Sequence, residues 1–281
     1  MSSNVEKPKV GVFKLSSCAG CQMVLIYHHD FLPEILGAVD IKNFKMARRD
    51  NDPEAKFDLV LFEGAVTEPE HVKLLKEIRP RTKLLVAMGA CACDGGVVTL
   101  KNTVPECQVE SAVYTDTSKF TSMKAQPIDE FVRVDAYARG CPVDGGELLE
   151  LLKSALIGRK PNLTNYSVCM ECKMNENPCR FINNKEPCMG TITRGGCGSL
   201  CPSNDRPCRG CRGPTTDANI ISYARLALDR DLPGHDELIK KRELAEFTPS
   251  SVFPQGRNVI KAAEVAIQSA QPSSKKGGSS Q

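Results

Sequence analysis

The 281-residue sequence has no tryptophan, and aromatic residues make up only 5% of it. That leaves little with which to stack bases, the usual basis of single-strand binding. Excess charge is also scarce: 37 Lys and Arg oppose 34 Asp and Glu, a net +3. No basic stripe interleaved with aromatics runs through the chain, so a nucleic-acid partner is not expected. No apolar run approaches the roughly 20 residues of a membrane span. The first residues, Met1 to Val10, are polar and lack the apolar segment of a secretory signal. Histidine is sparse, with four residues at 28, 29, 71 and 235, too scattered to read as a ligand set.

What the sequence has is cysteine, 14 residues of it. Disulfides, zinc and iron–sulfur clusters compete for such a number. Disulfides need an oxidising compartment. With no export signal in view, the expected location is the cytoplasm, where thiols stay reduced and free for metal. Hydrophobic content of 41% and charged content of 25% otherwise suit an ordinary globular protein.

The chain divides into parts of different character. Residues 1–160 alternate strand and helix patterns. Val10–Leu15, Phe57–Phe62 and Lys83–Met88 are short apolar runs expected to be strands covered on both faces. Phe131–Tyr137 reads as a last strand. Met23–Leu36, Pro69–Ile78 and Gly146–Ile157 carry helical spacing. This alternation predicts an α/β domain with a parallel sheet. Residues 161–215 differ. From Tyr166 to Cys211 there are eight Cys and nine other apolar residues, heavily punctuated by Pro and Gly. No period is sustained, so cross-linking by metal is expected to couple to folding. Residues 216–270 return to helical composition, over Asp217–Leu228 and Asp236–Phe247. Residues 271–281 form a polar Gly/Ser-rich tail that reads as disordered.

The cysteines fall in a pattern. Cys18 and Cys21 form C-x-x-C just after the first predicted strand. Cys91 follows Lys83–Met88, and Cys141 follows Phe131–Tyr137. Each lies beyond the carboxyl end of a strand, the edge where open parallel sheets bind ligands. Four thiolates from three loops then suit zinc or an iron–sulfur cluster. A thioredoxin-like redox pair is the alternative for Cys18 and Cys21, but it leaves Cys91 and Cys141 without a role. The second half adds Cys169, Cys172, Cys179, Cys188, Cys197, Cys201, Cys208 and Cys211, beginning and ending in C-x-x-C. Spacing alone leaves zinc and iron–sulfur both open there, although the Cys141-Pro142 and Cys201-Pro202 steps lean toward clusters. Twelve ligands make three four-Cys sites. Cys93 and Cys107 remain over, and read as free, buried structural cysteines.

The order of motifs carries a resemblance. SSCAGCQ, FEGAVTEPEH, VAMGACACDGG and ARGCP resemble the flavodoxin-like domain of nickel–iron hydrogenase small subunits. VCMECKMNENPC, EPCMGTITRGGCGSLCP and PCRGCRGP look like their C-terminal cluster domain. The likeness is greatest to the cytoplasmic type, with sulfhydrogenase delta subunits and the methyl-viologen-reducing enzymes of methanogens. It runs from about Lys9 to Pro214, and implies three [4Fe–4S] clusters in a line. The proximal ligands would be Cys18, Cys21, Cys91 and Cys141. The medial ligands would be Cys197, Cys201, Cys208 and Cys211, and the distal ligands Cys169, Cys172, Cys179 and Cys188. Cys169 stands where many membrane-bound relatives have His, and Cys201 where they have Pro, so no three-iron centre is expected. Arg48-Arg49 is internal and has no apolar segment behind it, unlike a twin-arginine signal.

The resemblance implies an electron relay. A separate large subunit would carry the nickel–iron centre and split H2. A flavin/NAD(P)-linked, ferredoxin-linked or heterodisulfide-linked subunit would exchange electrons at the far end. It also sets Glu63 near the proximal cluster, with a path role for protons or electrons; the alternative is a solvated loop carboxylate. Two other functions compete. One is the small cluster subunit of a complex I-like quinone oxidoreductase, which shares the α/β domain but has adjacent Cys-Cys and lacks the eight-Cys segment. The other is a multi-zinc interaction protein.

Overall fold

The computed structural model describes residues 6–27, 33, 37–186, 188–220, 222, 223 and 226. A five-stranded sheet organises the first half, with β1 Lys9–Lys14, β2 Asp40–Phe44, β3 Phe57–Glu63, β4 Thr82–Met88 and β5 Ala136–Ala138. Its order is β2-β1-β3-β4-β5, and all four pairings are parallel. This is the flavodoxin-like order expected from the resemblance.

The apolar runs form strands because both faces of the sheet are covered. Side chains alternate sides along a strand. Val10, Val12, Leu59, Leu61, Val86 and Met88 face one core, shared with Leu148, Leu151 and Leu152 of helix α5, Gly145–Ile157. Helix α1, Gly20–Tyr27, packs Val24 and Leu25 on that same side. Phe13, Val60, Phe62, Leu85 and Ala87 face the other core, with Leu75 and Ile78 of helix α2, Pro69–Ile78. Two short helices, α3 Gly89–Asp94 and α4 Glu106–Val113, complete the β4–β5 crossover.

Three expectations need correction. The last strand is Ala136–Ala138, not Phe131–Tyr137. Asp135 sets its start: its carboxylate accepts the Leu85 N–H at 2.9 Å and pairs with Arg79 at 3.0 Å. Val132 and Val134 pack against the core from a turn instead. Strand β2 was not anticipated, because DIKNF carries Asp, Lys and Asn in place of an apolar run. It is an edge strand, and buried Asn43 closes it by donating Nδ2–H to the Val12 carbonyl at 2.8 Å. Cys107 is exposed on α4, whereas Cys93 is fully buried as expected.

The C-terminal half has little regular structure. Helix α6 spans Val168–Met174 and helix α7 spans Leu200–Ser203. A small apolar cluster gathers Val168, Phe181, Met189 and Ile192 with Cys188 and Cys208. Residues 220, 222, 223 and 226 are helical, but most of the expected helix Asp217–Leu228 lies outside the described residues. So do Asp236–Phe247, the 271–281 tail, His28, His29 and His235.

Charged groups link the halves. Arg212, next to Cys211, pairs with Glu147 in the first turn of α5. Within the first half, Arg139 and Asp94 form a buried ion pair, with Arg139 Nη1 at 2.6 and 2.7 Å from the carboxylate oxygens. Removing one partner of such a pair strands a buried charge. Asp94→Ala is therefore expected to cost about 3–5 kcal/mol of stability. A thermal melt should fall by many degrees, and an unchanged melt would show that Arg139 finds water or another partner.

Candidate functional site

The sheet order brings four thiols and a carboxylate to one edge. β1, β3, β4 and β5 are consecutive neighbours. Cys18 and Cys21 follow β1, Glu63 ends β3, Cys91 lies in α3 after β4, and Cys141 follows β5. The chain winds to opposite sides of β1 in reaching β2 and β3, and ligands of such sheets bind at that switch point.

These thiols act on one another. Burial pushes Cys91 up to about 12, and the charges of Cys141, Cys18 and Glu63 add to the rise. Burial likewise pushes Cys21 up to about 12, with Glu63, Cys91 and Cys141 contributing. Cys141 is exposed as a residue, yet local desolvation raises its thiol, and Cys18 and Glu63 add to the rise. A thioredoxin-like pair of Cys18 and Cys21 would leave Cys91 and Cys141, at the same edge, without a role. A thiol this reluctant to ionise becomes a thiolate when metal binding offsets the cost.

Glu63 is buried, not solvated, at 1% exposure. Its carboxylate accepts the Cys21 N–H at 3.2 Å and the Gln22 Nε2–H at 2.7 Å. It therefore pins the first turn of α1, where Cys21 lies. Gln22 carries no sequence signal for this role, since an amide on a short helix reads as exposed. Gly89 lies across the site with φ +82, and a Cβ there would run into Cys21 Sγ.

The second-half cysteines form two further groups. Cys169 is pushed up to about 11 by burial, then by Cys188, Cys172 and Cys179. A Cβ at Gly190 would lie 3.5 Å from Cys169 Sγ and 3.6 Å from Cys188 Sγ. The Cys211 thiol is pushed up to about 11 by local desolvation although the residue is exposed overall, and Cys141, Cys197 and Cys201 add to the rise. Burial raises Cys208 too, and Cys188 and Cys211 add to it. The Cys208 N–H donates to Cys188 Sγ at 3.2 Å. Gly213, just past Cys211, lies against Arg139, just before Cys141, and Cys208 is joined to Cys188 by that N–H bond.

All fourteen cysteines are free thiols. Among the described residues, no three or more His, Cys, Asp or Glu are arranged to hold a single metal ion. A tetrahedral four-thiolate site around one zinc needs sulfurs about 3.8 Å apart, from a bond of about 2.3 Å. The donor set is all-thiol, which four-Cys zinc sites and iron–sulfur clusters share. Among the described residues no helix is long and apolar enough to cross a membrane.

Comparison with known proteins agrees with this arrangement. Residues 18–155 match the family described as NADH ubiquinone oxidoreductase, 20 Kd subunit. That match contains the four sheet-edge cysteines and stops before the other eight. Sulfhydrogenase 2 subunit delta of Pyrococcus furiosus is 35% identical over 240 residues, 85% of this chain and 100% of that protein. A vhu hydrogenase subunit of Methanocaldococcus jannaschii is 31% identical over 238 residues, 74% of this chain and 82% of that protein. Among solved structures, a chain of an NAD+-reducing [NiFe]-hydrogenase has TM-score 0.50 and 27% identity, covering 56% of this chain and 96% of that one. An actinobacterial-type NiFe-hydrogenase chain from Ralstonia eutropha has TM-score 0.53 over 99% of this chain and 95% of that one, and at 14% identity it speaks for the fold alone. A likeness at 35% identity that spans 85% of this chain and the whole of the Pyrococcus subunit means that this chain belongs to the family of hydrogenase subunits typified by sulfhydrogenase delta and its vhu counterpart.

Proposed function

We propose that the chain is the electron-transfer small subunit of a [NiFe] hydrogenase and holds three [4Fe–4S] clusters. Cys18, Cys21, Cys91 and Cys141 would ligate the proximal one. Cys197, Cys201, Cys208 and Cys211 would ligate the medial one, and Cys169, Cys172, Cys179 and Cys188 the distal one. The observation that carries this is the order of contact. Gly213, two residues from Cys211, packs against Arg139, two residues from Cys141, and the Cys208 N–H donates to Cys188 Sγ, which supports a line of three sets. When bound, such clusters accept and donate single electrons, at potentials set by burial, hydrogen bonding to sulfur and local charge.

The chain's own residues hold and insulate that path. Burial of Cys21, Cys188 and Cys208 excludes water from the inner sides of the three sets. Cys18 and Cys141 are exposed at the sheet edge, where a large subunit carrying the nickel–iron centre would cover them. Cys179 is exposed in the distal set, the side open to a flavin/NAD(P)-linked, ferredoxin-linked or heterodisulfide-linked partner. Glu63 holds the Cys21 backbone and lies behind the proximal set. The chain forms no bond with H2, and its oxidoreductase activity exists only within the complex. Fourteen free thiols suit the reducing cytoplasm.

Metal analysis of anaerobically purified protein tests this reading. About twelve irons per chain are expected, with matching sulfide and brown colour, as three four-Cys cubanes require. Stoichiometric zinc with little iron would replace it by the multi-zinc reading. The family match over residues 18–155 favours kinship with quinone-reductase subunits in the first half, but that function would leave eight cysteines idle and predicts only about four irons.

A further inference from the structure

A carboxylate from one C-terminal cysteine set reaches into the other. Glu171 lies on α6 between Cys169 and Cys172, and is 7% exposed. Its carboxylate turns inward to the loop that carries Cys197. Oε1 accepts the Gly196 N–H at 2.5 Å, and Oε2 accepts the Ser199 N–H at 2.9 Å. Oε2 also lies 3.7 Å from Cys197 Sγ. No ion pair to Glu171 occurs among the described residues; two backbone N–H groups hold it. Hydrogen bonds to an ionised carboxylate are among the stronger ones, and a buried carboxylate without them would be very costly.

The same loop is gripped from its other side. Arg212 is 3% exposed and donates Nε–H to the Gly195 carbonyl at 2.6 Å. Gly196 fills the gap with φ +98, where a Cβ would stand 2.6 Å from both Arg212 Nη2 and Glu147 Oε1. The Cys197 loop thus sits between a carboxylate of the distal helix and a guanidinium beside Cys211. With Cys197 as a ligand, Glu171 Oε2 would stand 3.7 Å from its sulfur. The two N–H bonds keep the carboxylate in place regardless.

We propose that Glu171 is a positioning residue that joins the two C-terminal thiol sets: it fixes Cys197 for the medial group and sets a negative charge beside it. The proposal rests on the assignment of Cys197 to the medial set. The positioning follows from the paired N–H contacts on either side of Cys197. The electrostatic part follows because a fixed anion disfavours the more negative, reduced form of whatever Cys197 ligates.

The test compares Glu171→Gln and Glu171→Ala in the anaerobically purified heteromeric complex. Iron per chain is measured, and the midpoint potentials are followed by EPR during a redox titration. Glu171→Gln keeps the shape and one acceptor but removes the charge. It is expected to retain most of its iron and to raise one midpoint potential while the other two stay put. Glu171→Ala is expected to lose about a third of the iron, the share of one cubane in three. Full iron and unmoved potentials in both variants overturn the proposal. So does loss of all three EPR signals, which would make Glu171 a general support of the fold. If the alanine variant does not assemble, the potentials of the glutamine variant decide. A wild-type protein that itself lacks iron would instead refute the cluster reading.

Discussion

Cys18→Ala in the assembled complex is expected to bring H2-linked electron transfer to background while the subunit stays folded. Cys18 is exposed on the loop between β1 and α1, and belongs to neither apolar core. Its sulfur accepts the Gly20 N–H at 3.4 Å at the start of α1, and losing such a cap costs about 0.5–2 kcal/mol, well short of unfolding a domain. Folding should therefore survive. What is lost is one of four thiolates at the carboxyl edge of the sheet. The loss should exceed the roughly 10–100-fold that removing a mere supporting partner of a metal ligand costs. Iron should fall by about a third, with the other eight thiolates still loaded. The measurements are H2-dependent dye reduction, iron per chain and a melting curve on one preparation. Full activity in this variant would remove Cys18, and with it the first set, from the electron path.

Gly89→Ala is expected to injure the same site without touching a ligand. The residue sits at φ +82, and its missing Cβ is the space occupied by Cys21 Sγ. Two penalties combine there. An L-residue held in the left-handed region costs about 1–2 kcal/mol, and the new methyl must push Cys21 away from the Cys91 side. Gly158 separates the two effects. It caps α5 with φ +68 and has open space around its Cβ position. Gly158→Ala should cost about 1–2 kcal/mol and keep all its iron. Gly89→Ala should lose about a third of the iron. Equal iron in the two variants would show that Cys21 moves freely and that the close approach is incidental.

The parts of the fold that were legible share a physical basis. FDLVLF and KLLVAM are β3 and β4 because a strand buried on both faces must be apolar throughout. Helix α2 begins at Pro69 and ends at Ile78 as its spacing implies, with Leu75 and Ile78 inward. The misread segments depend on partners elsewhere in the chain. DIKNF is a strand because Asn43 bonds to β1. Phe131–Val134 is not one, because Asp135 takes the Leu85 N–H with its side chain. Cys107 resembles Cys93 in sequence terms, yet one faces solvent and the other, a residue of α3, is fully buried in the core on that side of the sheet.

The sequence by itself determined the type of donor and the place of four of them. Cysteine number gives an all-thiol donor set, and strand–turn placement puts Cys18, Cys21, Cys91 and Cys141 at one sheet edge. These are local properties, carried by residue type and by distance along the chain. Only the tertiary structure decided how the sets adjoin. The approach of Gly213 to Arg139, and the bond from Cys208 to Cys188, join residues 74 and 20 positions apart through loops without periodicity. It alone also showed that Glu63 and Glu171 turn inward. A carboxylate is soluble wherever water reaches it, so its type says nothing about burial. It goes inside only where folding delivers N–H groups to receive it, and those come here from Cys21, Gly196 and Ser199.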